Sequence, residues 1–476
     1  MYDIIIIGAG IIGTSIAREL SKFNAKILVL EKENDVSCGT TKANSGIVHA
    51  GYDAIPGSLK AKFNVEGALM YEELSKELEF PYKKNGAFVL SFSEDGLSKL
   101  NDLLERGKKN GVKNLSIITG DEVRKIEPNV SSEVKYALYA KDSGIVSPYE
   151  MAIAMAENAY RNGVEFKFEE EVIDIKYFGD RFIVLTNFGT YYSKVVVNAC
   201  GVYSDKINNF ISDIKYKITP RKGEYMLLDK EFSYITHTTL FQLPSNMGKG
   251  VLVAPTTHNN ILVGPTALDV LDKDDVDTTY DGLNKAWNSA LLTIPKLPKG
   301  GIITQFSGLR AHLDTDDYVI GFSKDTKGLY NLIGIESPGL ASSPAISRYA
   351  ANEIKEYLNL EKKDNFIFKR PKIKHVREMN DFELKEAIKE NPLFGHIVCR
   401  CEVVSEAEIV ESIRRFPGAK DLDGVKRRVR AGMGRCQMGF CTPKILEILS
   451  KELNISLDEV TKKGKGSELL VGRIKE

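Results

Sequence analysis

Three glycines near the start of the chain have the spacing of a dinucleotide-binding turn. An apolar run over residues 2–7 leads into Gly8, Gly10 and Gly13 in the pattern G-x-G-x-x-G. A helical stretch and a second apolar run that ends at Glu31 follow, so the segment predicts a complete βαβ unit. In such a unit the glycines allow a tight turn and let a pyrophosphate approach the helix N-terminus, while the acidic residue accepts hydrogen bonds from ribose hydroxyls. The chemistry indicated is the binding of a dinucleotide cofactor.

Four of the six cysteines have a spacing that could hold a metal centre. Cys399, Cys401, Cys436 and Cys441 form the pattern C-x-C-x34-C-x4-C, in which two close pairs are separated by a long insert. Such pairs can converge on an iron–sulfur cluster. Free structural thiols, disulfides and structural zinc are the alternatives, although zinc knuckles prefer C-x2-C or wider spacing. The pattern favours an iron–sulfur cluster.

Glycines and arginines surround these cysteines. The glycines would let backbone N–H groups approach cluster sulfur, and the arginines would offset the charge of four thiolates on iron or dock an acidic partner. A solvated basic face is the alternative for the arginines. The residues concerned are Gly432, Gly434, Gly439, Arg400, Arg427, Arg428, Arg430 and Arg435.

Two further residues have side chains that suit proton transfer and anion binding. His49 lies in a stretch over 35–53 that is rich in Gly, Ser, Thr and Asn, and an imidazole that titrates near neutral pH can accept a hydroxyl proton. Arg310 is expected at a strand end, where a guanidinium can grip a carboxylate or phosphate through two parallel hydrogen bonds. A structural loop histidine and a buried ion pair are the alternatives. His258 and His312 are interpreted as structural.

Composition limits the classes of protein that this chain can be. Its 476 residues are too many for one core and predict about three domains. Lys plus Arg and Asp plus Glu number 65 each, so net charge gives no support for binding to nucleic acid or an anionic membrane. We expect no transmembrane segment and no signal peptide, because no apolar run approaches ~20 residues and the first one is used as a strand. Six cysteines do not make a disulfide scaffold, which predicts reduced thiols and a cytoplasmic location.

Apolar periodicity predicts the elements that position these residues. Helices are predicted over 58–79, 94–110, 121–126, 149–162, 344–358 and, as a short element, 380–390. Strands are predicted over 86–93, 171–176, 181–186, 194–201, 317–322 and 329–335. Short apolar runs that alternate with turns over 216–304 predict an antiparallel sheet, and the Lys-rich stretch over 360–395 predicts a linker.

Several motifs then follow one another in the order of a known family. They are the segments Cys38–His49, Val197–Asp205, Ser307–Arg310 and Gly334–Leu340. With the opening fingerprint they resemble FAD-dependent oxidoreductases of the D-amino-acid-oxidase-like superfamily, and most closely its glycerol-3-phosphate and L-2-hydroxyglutarate dehydrogenase branches. The C-terminal part resembles the bacterioferritin-associated-ferredoxin-like [2Fe-2S] domain that ends the A subunit of anaerobic glycerol-3-phosphate dehydrogenases.

The resemblance implies an α/β fold. It consists of a Rossmann-like FAD-binding domain, an inserted α+β substrate domain with an antiparallel sheet, and a small C-terminal α-helical module with four cysteines. The expected boundaries are 1–85, 144–215 and 305–358 for the FAD-binding domain; 86–143 and 216–304 for the substrate domain; 359–394 for a linker; 395–460 for the [2Fe-2S] module; and 461–476 for a tail.

The resemblance also assigns residues to the two cofactors and the substrate. It implies that a helix starting near Ser342 points its positive end at the flavin, that Val172 packs on the adenine, and that His49, Arg310, Lys222 and Tyr225 are catalytic. A structural role for Lys222 and Tyr225 is the alternative. The expected cluster ligands are the four cysteines named above. The expected FAD-binding residues are Gly8, Gly10, Ile12, Gly13, Glu31, Lys32, Thr40, Thr41, Asn44, Ser45, Gly46, Val48, Val172, Ala199, Gly201, Gly308, Pro338, Gly339, Leu340, Ala341 and Ser342.

The expected activity is a flavin-dependent dehydrogenation of a small anionic hydroxy compound. Glycerol 3-phosphate, oxidised to dihydroxyacetone phosphate, is the first expectation. L-2-hydroxyglutarate or another 2-hydroxy acid is the alternative, followed by an amino acid or amine, and an electron-transfer or iron-handling protein is the alternative from another class. The expected partner is a second redox subunit or an electron acceptor. Such a partner could associate the protein peripherally with a membrane.

Overall fold

The computed structural model describes residues 1–243 and 250–472. Its strands, in chain order, are β1 (Tyr2–Ile7), β2 (Ile27–Leu30), β3 (Ile47–Val48), β4 (Tyr82–Lys83), β5 (Ala87–Ser91), β6 (Leu115–Thr119), β7 (Tyr136–Ala140), β8 (Gly144–Val146), β9 (Glu165–Lys167), β10 (Val172–Phe178), β11 (Arg181–Thr186), β12 (Thr190–Asn198), β13 (Ile218–Leu228), β14 (Thr239–Gln242), β15 (Leu252–Pro255), β16 (Ile261–Gly264), β17 (Leu268–Asp269), β18 (Ile302–Leu313), β19 (Val319–Phe322), β20 (Leu329–Ile333), β21 (Ile397–Cys399) and β22 (Val404–Ser405). Its α-helices are α1 (Ile11–Leu20), α2 (Leu59–Ala68), α3 (Tyr71–Leu78), α4 (Gly96–Lys109), α5 (Gly120–Ile126), α6 (Pro148–Arg161), α7 (Ser204–Ile211), α8 (Tyr280–Thr293), α9 (Gly339–Leu358), α10 (Asp381–Glu390), α11 (Glu406–Arg414), α12 (Leu422–Val429) and α13 (Thr442–Leu453).

The first sheet has the N-terminal strand β1 at its centre. Its order is β10-β11-β12-β1-β2-β9, with β20 paired to β12, and β1 runs parallel to both β2 and β12. Ile4 and Ile6 pack in one core with α1, α6 and α9, whereas Ile5 and Ile7 pack in another core with β11 and α7. An unbroken isoleucine run therefore suits β1, because both faces of this strand are covered.

The second sheet is built from two distant parts of the chain. Strands β5, β6 and β7 join β13 to β18 in the order β17-β13-β16-β15-β14-β5-β7-β6, with β18 paired to β13 along its length. Helix α8, which was not among the predicted elements, packs on this sheet through Trp287. The predicted domain boundary at 304/305 falls inside β18 and therefore divides a strand that pairs with β13 along its length. The other domain limits stay a proposal.

The C-terminal module is a small helical unit held against the first domain. Helices α11, α12 and α13 enclose its core, and strands β21 and β22 form a short hairpin that contains Cys399. The preceding segment, predicted as a linker, is tied down, since Arg370 forms a buried ion pair with Glu157, and Asn158 donates to the carbonyl of Ile367. Part of the predicted tail also pairs with the module, because the Leu422 N–H donates to the Thr461 carbonyl. Residues 473–476 of that tail lie outside the described residues.

Two predicted helices have different limits in the structure. The stretch over 58–79 forms two helices, α2 and α3, rather than one. The helix predicted to begin at residue 344 begins at Gly339 instead. Pro344, which is typical of a first helical turn, lies inside α9 near its N-terminal end. The α/β class is confirmed. Within the described part of the chain, no helix is both long and apolar enough to cross a bilayer.

Candidate functional site

A cavity of about 1980 Å³ lies where the two sheets meet. Its walls are the turn after β1, the loop that follows β2, the N-terminus of α9, and one face of β13 and β18. Pockets for small molecules usually measure ~300–1,000 Å³. This cavity therefore has room for an extended dinucleotide and a substrate together.

The glycine turn is shaped by close contacts of the backbone. Gly8 has φ +99°, and a Cβ there would lie 2.7 Å from the carbonyl oxygen of Ala199. A Cβ on Gly13 would lie 1.9 Å from the carbonyl oxygen of Gly8, so this glycine lets α1 pack on the strand. A Cβ on Gly10 would meet only the Thr41 hydroxyl, at 3.2 Å, and Gly10 lines the cavity. A side chain added at Gly10 would therefore clash with a ligand in the cavity, whereas one added at Gly8 or Gly13 would clash with the protein backbone.

Glu31 is held at the end of β2 by backbone donors. Its Oε2 accepts from the Ala9 N–H at 2.7 Å and its Oε1 from the Glu33 N–H at 3.0 Å. The carboxylate lines the cavity beside the glycine turn. This position fits the ribose of a dinucleotide bound over that turn.

The loop after β2 is fixed by hydrogen bonds of its threonines and Asn44. Thr40 donates to the Leu309 carbonyl at 2.7 Å, and Thr41 accepts from the Ile11 N–H at the start of α1. Asn44 donates to the Thr41 carbonyl and accepts from the Gly46 N–H. The loop is therefore a preformed wall of the cavity.

Most residues predicted to bind the cofactor line this one cavity. Those that line it are Gly8, Gly10, Ile12, Glu31, Lys32, Thr40, Thr41, Asn44, Ser45, Gly46, Val172, Ala199, Gly201, Gly308, Pro338, Gly339 and Leu340. Those that do not line it are Gly13, Val48, Ala341 and Ser342, which pack inside the protein. The N-terminus of α9 that faces the cavity is thus at Gly339, three residues earlier than predicted. The N-terminus of a helix carries a partial positive charge, so this end of α9 would stabilise negative charge on a ligand that lies against it.

The substrate side of the cavity carries two arginines. Arg310 on β18 lies opposite Arg221 on β13 in the register of the sheet, and both line the cavity. The Arg310 guanidinium crosses Gly223, where a Cβ would lie 2.6 Å from its Nη2, and it donates to the Thr266 carbonyl at 3.3 Å. In the described part of the chain, Arg310 is in no ion pair. Its charge is therefore available to an anionic ligand.

Tyr225 connects Arg310 to the cofactor loop. Its hydroxyl is hydrogen bonded with Arg310 and Ser45, and its ring is stacked on Phe306 at 5.0 Å. Burial raises the pKa of Tyr225, although the nearby Arg310 charge opposes this effect. The tyrosine thus remains neutral and can position the guanidinium at the part of the cavity beside Ser45.

Lys222, expected to be catalytic, does not reach the cavity, whereas its neighbour Arg221, for which no role was expected, lines it. Alternate residues of β13 face the cavity, so Lys222 points to the opposite face, where it is buried and paired with Asp275 at 2.8 Å. Arg221 faces the cavity and forms a two-point ion pair with Asp269, at 2.6 and 3.1 Å. The structure therefore does not bring Lys222 to the site. The period-two alternation that places Tyr225 in the cavity was the signal that would have selected Arg221.

The histidines take different positions. His49 lines the cavity with its ring stacked on Phe241 at 5.5 Å, and its carbonyl accepts from Asn64. His258, predicted as structural, also lines the cavity, and its Nε2 lies 2.6 Å from Glu150. Burial acts to raise the pKa of Glu150, but His258 and then Arg430 outweigh it and lower the pKa to about 2. This carboxylate is therefore ionised.

The four predicted cluster ligands come together at one end of the module. The Sγ atoms of Cys401 and Cys436 are 3.6 Å apart, and Cys399 is hydrogen bonded with Cys441, so each spatial pair takes one thiol from each sequence pair. The Cys441 thiol and, more weakly, backbone N–H groups that include that of Gly432 lower the pKa of Cys399 to about 6. Within the described residues no three His, Cys, Asp or Glu side chains converge as ligands of one metal ion. Two thiol pairs are a donor set that fits a two-iron cluster.

Three of the five arginines expected near the cluster are buried in ion pairs. Arg427 and Arg428 bind the buried carboxylate of Asp35 at 2.6–2.7 Å, and Arg430 binds Glu402 at 2.9 Å. All three arginines are 4–5% exposed, so they cannot form a solvated docking face. The charges of Arg427 and Arg428 join the module to the loop after β2, whereas Glu402, the partner of Arg430, belongs to the module itself.

Comparisons with known proteins agree with both sites. The family described as FAD dependent oxidoreductase matches residues 3–353, and the BFD-like [2Fe-2S] binding domain matches residues 397–451. A glycerol 3-phosphate dehydrogenase of Caloramator mitchellensis is 50% identical over all of this chain and 99% of its own length.

Two relatives from mycoplasmas cover the part of the chain before the module. A glycerol 3-phosphate oxidase of Mycoplasma genitalium is 34% identical over 76% of this chain and 97% of its own. The structure of reduced L-alpha-glycerophosphate oxidase of Mycoplasma pneumoniae with FAD bound has a TM-score of 0.74 at 30% identity, covering 78% of this chain and 99% of that one. FAD and a [2Fe-2S] cluster are thus the cofactors that the cavity and the four thiols accommodate, and the chain belongs to the FAD-dependent oxidoreductase family, as a glycerol-3-phosphate-dehydrogenase-like enzyme with a C-terminal [2Fe-2S] domain.

Proposed function

We propose that this enzyme oxidises sn-glycerol 3-phosphate to dihydroxyacetone phosphate. The observation that carries the proposal is the pair formed by Arg221 and Arg310 on the cavity face of neighbouring strands. Like charges directly opposite on a sheet destabilise it, so two guanidinium groups here favour a multiply charged anion between them. The names of the relatives, a dehydrogenase and two oxidases of this substrate, support the same choice.

Arg310 and Arg221 would hold the phosphate group. A planar guanidinium can give two parallel hydrogen bonds to phosphate oxygens, and Arg310 has its orientation set by Gly223 and by Tyr225. Arg221 is paired with Asp269, whose side chain is 49% exposed. It therefore adds charge without leaving an unpaired buried cation when the cavity holds no substrate.

His49 would take the proton of the substrate hydroxyl. It lies in the same cavity as Arg310, on the loop segment that leads from the cofactor residues, and its ring is braced by Phe241. When bound, FAD supplies the acceptor for the hydride that leaves the substrate carbon. The balance is one alcohol giving one ketone, with the hydroxyl proton going to His49 and the carbon-bound hydrogen going to the cofactor as a hydride with two electrons.

L-2-hydroxyglutarate or another 2-hydroxy acid is the second candidate substrate. A dicarboxylate could also bridge two guanidinium groups, and dehydrogenases of L-2-hydroxyglutarate from several organisms align with about three quarters of this chain at 26–28% identity. Phosphate is favoured because it presents two negative charges on one group. Oxidation of an amine ranks third.

We further propose that electrons leave through the thiol end of the module to a separate acceptor. Met433 and Gln437 line the cavity, and Cys436 lies between them in the chain, so the path from cavity to thiols is short. Next to Cys441, Phe440 is 88% exposed, which offers an acceptor a contact surface. The six cysteines are all free thiols, which supports a reducing, cytoplasmic setting.

An anaerobic substrate screen tests the proposed reaction. Purified holoenzyme is mixed without oxygen with glycerol 3-phosphate, L-2-hydroxyglutarate, L-lactate or glycine, and bleaching of the flavin band is followed. Bleaching with glycerol 3-phosphate at the lowest concentrations is expected. Bleaching by L-2-hydroxyglutarate alone would reject glycerol 3-phosphate as the substrate. Bleaching by glycine alone would reject the oxidation of an alcohol as the reaction.

A further inference from the structure

The module does more than stand beside the first domain, because it forms part of the wall of the FAD cavity. Asn34 and Asp35, in the loop after β2, bind the module through Asp421 and the Arg427–Arg428 pair. This loop follows Glu31 directly, so the contact lies at the dinucleotide half of the cavity rather than at the half that contains Arg310 and His49.

The module presents cations to that half of the cavity. The cations that line it from the module and the residues following it are Lys426, Arg427, Arg430, Lys462, Lys463 and Lys465. Acidic neighbours offset part of this charge, since Lys462 pairs with Asp423 at 3.4 Å. Two of the cations, however, keep donors that nothing in the described chain uses.

The first unused donor belongs to Lys426. Within the described residues its ammonium is in no hydrogen bond and no ion pair, although burial lowers its pKa. The second is the Nε–H of Arg427, which is buried without a partner even though the same guanidinium binds Asp35 through Nη2. Arg427 is 5% exposed. Burying a charged donor without a partner is costly, so an anion is the expected complement of the Arg427 Nε–H. Lys426 is half-buried, and its ammonium, which has Asp423 nearby, would add charge beside that donor.

The cavity beside these donors is where the pyrophosphate would lie. Gly10 leaves an open approach to the N-terminus of α1, and Thr41 and Lys42 form the facing wall. Arg427 is close enough to Cys38, four residues before Lys42, to lower the pKa of its thiol against a stronger effect of burial, which raises it. The unused cations therefore line the same cavity as the glycine turn, with Arg427 close to Cys38 of the loop that forms its wall.

We propose that Lys426 and Arg427 of the iron–sulfur module bind the pyrophosphate of FAD, so that the module closes over the cofactor and slows its release. The FAD-bound mycoplasma oxidase has counterparts for only 78% of this chain, so this contribution is additional to binding by the first domain. The inference concerns the cofactor, and it stands whichever substrate the cavity accepts.

The test measures how fast FAD leaves the holoenzyme, followed by the flavin released on dilution, and the ³¹P resonances of the bound pyrophosphate. Lys426→Met removes the charge with little change in length. Lys451→Met, which changes an exposed lysine of α13, is the matched control, and iron content reports whether the module is folded. We expect Lys426→Met to release FAD at least about tenfold faster than the control and to shift the ³¹P resonances.

Two results would overturn the proposal. One is equal release rates and ³¹P spectra for Lys426→Met and Lys451→Met. The other is a separate phosphate resonance in the dialysed holoenzyme that alone responds to Lys426→Met, which would assign the site to a free anion. If the Lys426→Met protein loses its iron and fails to fold, Lys426→Arg is measured in its place, because this substitution keeps the positive charge but changes the position of the hydrogen-bond donors. The pyrophosphate resonances must then shift in Lys426→Arg, and unchanged resonances would again reject the contact.

Discussion

Arg221 and Arg310 lie directly opposite each other on antiparallel strands and turn their guanidinium groups to the same cavity. Only one of them has a carboxylate partner in the described chain, since Asp269 binds Arg221 and Arg310 donates to a carbonyl. The pair is therefore asymmetric, with Arg310 the more available to a ligand.

Replacing Arg310 should mainly weaken substrate binding. We expect Arg310→Ala to cost about 2–5 kcal/mol in kcat/KM, largely as a higher KM, because the phosphate loses a two-point partner. Steady-state kinetics with an artificial acceptor measures this. Lys222→Met, on the same sheet but facing away, is the control and should leave KM within about twofold. An unchanged KM in Arg310→Ala would remove this residue from the anion site.

Arg221 should contribute less than Arg310 and in a salt-dependent way. Its charge is shared with the half-exposed Asp269. Arg221→Leu is therefore expected to raise KM by an amount equivalent to a loss of roughly 1–2 kcal/mol of substrate-binding free energy. The same assay at low and high ionic strength checks this. A larger effect than that of Arg310→Ala would reverse the order of the two arginines.

His49→Gln should slow the chemistry and leave the cofactor bound. Loss of a general base typically lowers a rate by about 10²–10⁴-fold. Anaerobic stopped-flow measurement of flavin reduction gives the rate, and the flavin absorbance of the purified variant gives the content. His396→Gln, at an exposed histidine of the module, is the control. Reduction of His49→Gln at the normal rate would show that another group takes the proton.

Gly10 and Gly8 should respond differently to an added side chain. Gly10→Val should leave a folded protein with little FAD, because its Cβ points into the cavity and meets only the Thr41 hydroxyl. Gly8→Ala should destabilise the fold itself, since it combines φ +99° with a contact of 2.7 Å to backbone. Flavin content and thermal unfolding of the two proteins distinguish these outcomes. Normal flavin content in Gly10→Val would contradict the assigned cofactor position.

The contact between the module and the loop after β2 should depend on the ionised Asp35 carboxylate, and it should weaken only at acidic pH. Burial acts to raise the pKa of Asp35, but Arg428 and Arg427 outweigh it and hold the pKa below its usual value. A lowered folded-state pKa gives stabilisation that is complete above the unfolded value, near 3.9, and is lost as pH falls below it. Stability should therefore be insensitive to this group from neutral pH down to about pH 5.

Asp35→Asn provides the test of that pairing. Leaving two buried arginines with one neutral partner should cost about 3–5 kcal/mol, whereas Glu72→Gln, in the exposed pair with Lys76, should leave the free energy of unfolding nearly unchanged. Urea unfolding followed through the iron–sulfur absorbance measures both. Equal stability of the two variants would mean that Asp35 does not fix the module.

Cys436→Ser should remove the iron–sulfur absorbance and leave substrate reduction of the flavin intact. Cys436 pairs with Cys401 across the insert, so its loss leaves three thiols for two irons. Visible spectra and iron analysis of protein handled without oxygen measure the change, with Cys200→Ser as a thiol control outside the module. Zinc without iron in the unaltered protein would contradict the cluster and weaken the proposed electron exit.

The local signals in the sequence were the ones that predicted structure well. The glycine turn, Glu31 and the isoleucine run of β1 lie within thirty-one consecutive residues, and all of them take their expected places. Distant residues complete their surroundings, since Ala199 contacts Gly8 and both faces of β1 are covered by later elements. The cysteine spacing also placed four thiols in one region, because the two close pairs flank a helical insert. Their roles as ligands stay a prediction.

What the sequence could not supply depended on distant contacts. Alternation along β13 already separates Lys222 from Tyr225, but which of the two residues faces the cavity is set by the pairing with β18. The partner of Arg427 and Arg428 is nearly four hundred residues away, at Asp35, which left a solvated face or a cluster role as the natural interpretations. Helix α8 lay hidden among short apolar runs that also suit strands.

The Asp35–Arg428 contact also fixes how far apart the two redox centres stand. Because the contact is buried, and the segment before the module is tied down by Arg370 and Glu157, the module cannot swing on a tether. Transfer between flavin and cluster should then proceed at a set separation and be indifferent to solvent viscosity. Any viscosity dependence in turnover would have to arise later, when the external acceptor meets the surface around Phe440.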